Sequence, residues 1–286
     1  MRAAFIVLVL AATVTAEPRR AGLKHVEPII ERSAQGTTTQ VAYKKLVPQV
    51  IDERSASAFV IAAVGSSPGN GGTYFRSEVT LVNNRDIQQR IAIFYLPASG
   101  GCENVKVQYM NLAAGSWYGW SDFLVSVYGI SSFGSLVVFA IDSAGNYDSN
   151  GAIDGFSRIW TPVPGFKGTA SQSFPPTALT SYEYGQVAYG LRHEADFRTN
   201  IVLMNYIPSG STEYRNFYVY VGGIKKDVEY EVAVPPCGLV IQTIPAGDYG
   251  PLAIYAEPYD YLGGWYGLGS TIDNNNGDSW SSAMRP

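Results

Sequence analysis

The chain has 286 residues, 46% hydrophobic and only 15% charged, enough for two domains with a core in each and too apolar for a disordered chain. Its formal net charge is -4, and no basic run exceeds the pairs Lys44-Lys45 and Lys225-Lys226, so the sequence offers no basic stripe to meet nucleic-acid phosphates. With 30 Gly, 16 Pro and 20 Tyr, composition favours strands and tight turns over helices.

Residues 1–16 read as a secretory signal: Arg2 supplies the positive start, "AAFIVLVLAA" the apolar run, and Val14-x-Ala16 the small-residue cleavage pattern, with Glu17 as the mature start. The expected address is secreted, extracellular or cell-surface. No later stretch approaches the roughly 20 apolar residues of a spanning helix, so no transmembrane span is expected. Residues 17–57 form an N-terminal arm of uneven character. Within it "TQVAYKKLVPQVI" is a strand candidate that Pro48 would confine to a sheet edge.

Next comes "AFVIAAVG", a strand candidate, and then "FRSEVTLVNN" (75–84), which returns 122 positions later as "FRTNIVLMNY" (197–206). In the first copy Phe75, Ser77, Val79 and Leu81 alternate with Arg76, Glu78 and Thr80, the period of a strand with one face on a core. The second copy repeats this with Phe197, Thr199, Ile201 and Leu203, but its other face is mixed: Arg198 and Asn200 are followed by apolar Val202 and Met204. Asn83 and Asn205 suit strand exits closed by Asx-turns.

Downstream, "RIAIFYLP", "VKVQYMNL", "GSLVVFAID" and "GFSRIWTP" read as strands of the first copy. "NFYVYVGG", "VEYEVAVPP", "GLVIQTI" and "GPLAIYAEP" read, in that order, as their counterparts, with "YGQVAYGL" leading the second copy. "SDFLVSVYG" is the one helical signal, a two-turn crossover capped by Ser121 or Asp122 and ended by Gly129, with Phe123, Leu124, Val127 and Tyr128 inward. The Pro/Gly/Ser/Thr-rich stretch 163–181 reads as a linker. The fold expected is all-β, two tandem antiparallel β-sandwich domains at 58–162 and 182–286.

The order "FVIAAVG…GGTYFRSEVTLVNN", "SRIWTP", "YGLRHEADFRTNIVLMN" resembles secreted bacterial proteins, frequent in acidobacteria and related lineages, with tandem β-sandwich units and a Trp/Phe-Arg-Thr-Asn/Asp-x-x-Leu-x-Asn strand. The resemblance implies export, an all-β architecture and no established enzymatic activity. The chain departs from that pattern in having Phe75 where Trp is frequent, and in its tyrosine-rich second unit.

Candidate sites are few, and no catalytic residues are assigned. Gly65-x-Ser67-x-Gly69 matches a nucleophile elbow, but Pro68 and the following glycines make a hairpin loop leading into another strand, not a helix. His25 and His193 lack the partners a triad or zinc site needs, and His193 beside Glu194 and Asp196 reads as a solvated loop residue. Asn146, Asp148, Asn150 and Asp154, with Gly151 between them, echo the ligand order of a calcium loop; a plain polar hairpin is the alternative, and the acidic 273–278 is a weaker echo. Exposed aromatics could stack on sugar rings or dock a protein: Trp117, Tyr118 and Trp120 in "SWYGW", and the better candidate Tyr259, Tyr261, Trp265 and Tyr266, with Tyr255 beside them. Cys102 and Cys237, in different copies, leave two alternatives open, a bridge between units or two free thiols. The function expected is a secreted, non-enzymatic structural or adhesive protein at or outside the cell surface, with a protein or surface glycan as partner and calcium as the one cofactor candidate. The alternatives are an extracellular assembly subunit polymerising through its arm, or a carbohydrate-binding module.

Overall fold

The computed structural model describes residues 41–44, 56–69, 72–163, 167–179, 185–206, 212–245, 247, 249–258, 265–275, 277 and 279–284. The expected signal segment 1–16, His25 and most of the expected arm 17–57 lie outside them. Strands fill the first half as β1 (Val41–Lys44), β2 (Ala58–Pro68), β3 (Tyr74–Asn83), β4 (Gln89–Pro97), β5 (Lys106–Leu112), β6 (Ser116–Trp120), β7 (Ser132–Ile141), β8 (Ile153–Pro162), β9 (Thr169–Phe174) and β10 (Thr177–Ala178). The second half holds β11 (Gln186–His193), β12 (Phe197–Asn205), β13 (Glu213–Val221), β14 (Ile224–Val234), β15 (Gly238–Thr243), β16 (Gly250–Pro258), β17 (Trp265–Asp273) and β18 (Ser279–Ala283). No helix among the described residues is long and apolar enough to cross a membrane.

These strands form two antiparallel sandwiches with one wiring. In the first, sheet I runs β1-β6-β3-β8-β9 and sheet II runs β10-β2-β7-β4-β5, the two meeting at the β2–β3 hairpin. In the second, sheet III runs β15-β12-β17-β18 and sheet IV runs β11-β16-β13-β14. Without β1 and β10, the strand orders β6-β3-β8-β9 and β2-β7-β4-β5 repeat as β15-β12-β17-β18 and β11-β16-β13-β14. The duplicated sequence is therefore a duplicated topology.

The expected counterparts shift by one strand in the second half of each copy. "SWYGW", taken as an aromatic patch, is β6 and matches β15, so "GSLVVFAID" corresponds to "GPLAIYAEP" and "GFSRIWTP" to β17. Trp120 is a core residue, which is why so short and aromatic a run still forms a strand. The stretch 163–181, expected as a linker, carries β9, paired with β8, and β10, paired with β2. Its Ser and Thr residues line a sheet edge.

The repeated motif has a direct physical role. Ser77, Val79, Leu81 and Asn83 all point into the first sandwich and are buried, as are Thr199, Ile201, Leu203 and Asn205 in the second; Phe75, at the strand entry, stays exposed. The hydroxyl at the third motif position clamps the preceding strand beyond a β-bulge. Gly65 N donates to Ser77 Oγ (2.5 Å), which donates back to Gly65 O (3.0 Å). Thr199 Oγ1 donates to Arg192 O (2.6 Å), while Arg192 N donates to Thr271 Oγ1 (3.0 Å). Register shifts at Ile61/Val64 in β2 and Ala188/Leu191 in β11 mark the two bulges. Asn83 makes the expected Asx-turn by accepting from Arg85 N (3.0 Å), and its amide also donates to Ile87 O (2.8 Å) and Ala113 O (3.0 Å), tying two loops together.

The helical signal becomes a single π-helical turn, Leu124–Tyr128, ended by Gly129 at φ 66°. Phe123 and Leu124 are fully buried, but neither Ser121 nor Asp122 caps it. The Asp122 carboxylate instead accepts from Ser66 Oγ (3.0 Å).

The two sandwiches stack face to face, so that four sheets lie in the order I, II, III, IV. One buried cluster joins Val60, Val137 and Leu96 of sheet II to Val202, Met204, Leu239, Tyr266 and Leu268 of sheet III; a second cluster fills the space between sheets III and IV. The mixed outer face of β12 is thereby explained: Ile201 and Leu203 face one core, Val202 and Met204 the other. Each such side chain contributes about 1.5–3 kcal/mol on burial. Polar contacts extend the seam, with Ser279 Oγ and Ser281 Oγ donating to Ser171 O (2.9 Å) and Ser173 O (2.7 Å) across β9 and β18. A disulfide, Cys102–Cys237, bolts its edge. Cys237 is the one non-glycine residue among those described with positive φ (50°), and its aligned position in the first copy is Gly115, at φ 56°.

Candidate binding surface on the outer sheet

Sheet IV has one face on its core and the other outward. Along β13, Phe217 and Val219 point in, so Tyr218 and Tyr220 point out; along β16, Leu252, Ile254 and Ala256 point in, so Ala253 and Tyr255 point out. In β11 the bulge at Tyr189-Gly190, with Gly190 at φ 70°, pushes Tyr189 outward until it is 60% exposed. Trp280 Nε1 donates to Gly190 O (2.8 Å) and holds the bulge from the neighbouring sheet.

These side chains wall an open trough of about 560 Å³, floored by Val187 and Ala253 and flanked by Tyr189, Tyr220, Tyr255 and the Gly222-Gly223 turn. The Tyr218 and Tyr255 rings stack at 6.1 Å between centroids and 25° between planes, and Lys225 Nζ sits 3.7 Å above the Tyr218 ring. A Cβ on Gly185 would come within 2.1 Å of the Tyr255 hydroxyl, so a side chain there would displace that ring. Burial, then the charge of Glu257, then Tyr220 push the Tyr255 hydroxyl above its usual pKa, so it stays a neutral donor and acceptor. Rigid rings with polar tips make a face that is stable in water and able to dock onto a flat apolar or sugar surface.

Of the aromatic candidates read from sequence, Tyr255 belongs to this surface. Trp265 and Tyr266, expected as a binding patch, are each 3% exposed. They alternate along β17 into two different cores, Trp265 between sheets III and IV and Tyr266 against sheet II, where its hydroxyl accepts from Thr177 Oγ1 (2.8 Å). Tyr259 and Tyr261 lie outside the described residues. Tyr189, Tyr218 and Tyr220 were missed, although "VAY" and "FYVYV" carry the signal as apolar residues alternating with tyrosine.

The two aspartates among the calcium-like residues turn carboxylate oxygens to protein donors. Asp148 Oδ2 accepts from Arg85 Nη1 (2.8 Å) and its Oδ1 from Asn150 N (3.0 Å); Asp154 Oδ1 accepts from Gly155 N (2.7 Å). Asn146 N and Nδ2 donate to Asp142, whose carboxyl these bonds hold below the usual range. Among the described residues no three His, Cys, Asp or Glu side chains gather as a metal site requires. In the weaker acidic stretch, Asp273 Oδ1 accepts from Asn275 N (2.7 Å).

His193, expected in a solvated loop, ends β11 and is 6% exposed. Its Nδ1 accepts from Thr199 N (3.0 Å) and its ring packs 5.7 Å from that of Tyr249. Burial pushes its pKa below the ordinary value, against a bond to the Pro245 backbone. The Gly65, Ser67 and Gly69 match lies in the β2–β3 hairpin, with Ser67 opposite Phe75. Compared with known proteins, the chain matches no family model and no curated sequence.

Proposed function

We propose that this is an exported, non-catalytic structural or adhesive protein that docks its partner on the outer face of sheet IV. The observation that carries the reading is the trough walled by Tyr189, Tyr220 and Tyr255, an aromatic face with no element among the described residues filling it. Export is supported by the signal-like residues 1–16 and by the Cys102–Cys237 bridge, since disulfides persist outside the reducing cytosol. A non-catalytic role is supported by the structural employment of the candidate residues: His193, Asp148 and Asp154 all serve backbone or ion-pair contacts. The carbohydrate-binding alternative is favoured by the same trough, because neutral tyrosines can stack on sugar rings and donate to their hydroxyls.

The test is retention of the full disulfide-bonded chain on immobilised cell-surface material and on a glycan array, for parent, Tyr220→Ala and Tyr189→Ala. The expected result is binding by the parent and at least a tenfold loss in each variant. Equal binding by all three would remove sheet IV as the docking face.

A further inference from the structure

Resting on that reading, we infer that the partner at sheet IV is the sheet I face of a second copy, so that chains stack head to tail. The shared wiring of the two units makes the outer faces of sheets II and IV equivalent, and likewise those of sheets III and I. Within one chain, the outer face of sheet II is already packed on the outer face of sheet III. Among the described residues one face of each kind remains outward: sheet IV at one end, sheet I at the other.

The strand registers allow residue-level comparison. Val60, Val137 and Leu96 of sheet II lie in the cluster shared with the other unit, and Phe94 packs against it; the equivalents of Val60, Val137, Phe94 and Leu96 in sheet IV are Val187, Tyr255, Tyr218 and Tyr220. Similarly the buried Ala62-Ala63 bulge becomes Tyr189-Gly190. Four apolar positions thus become one valine and three tyrosines, which keep ring area for contact while giving each face a polar edge to survive in water. On the opposing side, Val202, Met204, Leu239 and Leu268 of sheet III correspond to Thr80, Val82, Trp117 and Phe156 of sheet I. Phe156, at the position where Leu268 enters the shared core, is 41% exposed. The Arg158–Glu78 ion pair (2.6 Å) flanks it. Both outward faces are therefore softened versions of the buried pair, without the bridging cysteines. A contact between unlike faces does not close on itself by two-fold symmetry, and because the two faces lie at opposite ends of the stack it propagates head to tail.

The test uses light scattering and analytical ultracentrifugation on the full disulfide-bonded chain across a concentration series, with electron microscopy at the top. The parent should grow into linear oligomers. Tyr220→Arg and Phe156→Arg should each remain single chains, because every contact needs one face of each kind. An equimolar mixture of the two should give pairs and nothing longer, since each variant retains the face that the other lacks. Both positions are outward; Ala253→Arg and Thr80→Arg repeat the test from second positions, with circular dichroism confirming folding. A parent that stays a single chain, a variant that still assembles, or a mixture that forms no pairs overturns the inference. Glycan binding abolished by Tyr220→Arg in a single-chain parent overturns it while leaving sheet IV as the docking face.

Discussion

Replacing Cys102 by Ala and Cys237 by Gly removes the bridge without adding backbone strain, because Gly is at ease at the φ of 50° that Cys237 adopts and Gly115 already occupies the aligned turn. The bridge spans 135 residues of sequence. Closing a loop of that length lowers the entropy of the denatured chain by about 17 cal/mol/K, or about 5 kcal/mol at 25 °C, an upper figure because real denatured chains are already compact. At about 2 °C per kcal/mol for a chain of this size, the variant should melt roughly 10 °C below the oxidised parent. Differential scanning calorimetry measures both the shift and its shape. The Val202, Met204, Leu239 and Leu268 seam remains, so the variant should still melt in one transition. An unshifted midpoint would refute the loop-entropy account, and two separated transitions would refute the seam as the element that couples the units.

His193 makes stability depend on pH. Its folded-state pKa lies below the ordinary value of about 6.5, so the unfolded chain binds the proton first and stability falls as pH drops through 6.5 towards the lower folded value; urea melts at pH 7.5 and 5.5 should show this, and His193→Gln should flatten the difference. Gln186 is fully buried and neither amide atom has a hydrogen-bond partner among the described residues, so Gln186→Leu should raise stability by about 1 kcal/mol in the same melts; a loss of that size would mean that the amide has a partner. Thr199→Val should cost about 1–3 kcal/mol by leaving Arg192 O without its donor, whereas Thr80→Val, on the outer face, should be near neutral.

Alternation and turn residues made the fold class and most strands legible, because a half-buried strand writes its two faces directly into the sequence. Val202 and Met204 were legible only as an anomaly. Their meaning needed the second sandwich's partner, which lies far away in sequence. β6 was misread because three aromatic residues in five look like a patch until Trp120 is seen to be buried. Trp265 and Tyr266 failed for the related reason that a strand with a core on each side buries both of its faces, so flanking Gly and Pro say little about exposure. The Asp148 ion pair was not legible because its partner, Arg85, lies 63 positions away. His193 looked solvated beside two acids, yet the bulge in β11 turns it under Thr199.

The stacking of sheet II on sheet III sets an order on biogenesis. The first sandwich is complete by Ala178, while Val202, Leu239 and Leu268, which cover its oily flank, are made later. A nascent chain halted between those points would present Val60, Phe94, Leu96 and Val137 bare. During that interval a chaperone's shielding is most valuable, and the Cys102 thiol has to wait for Cys237, so the bridge forms only once β14 has been made.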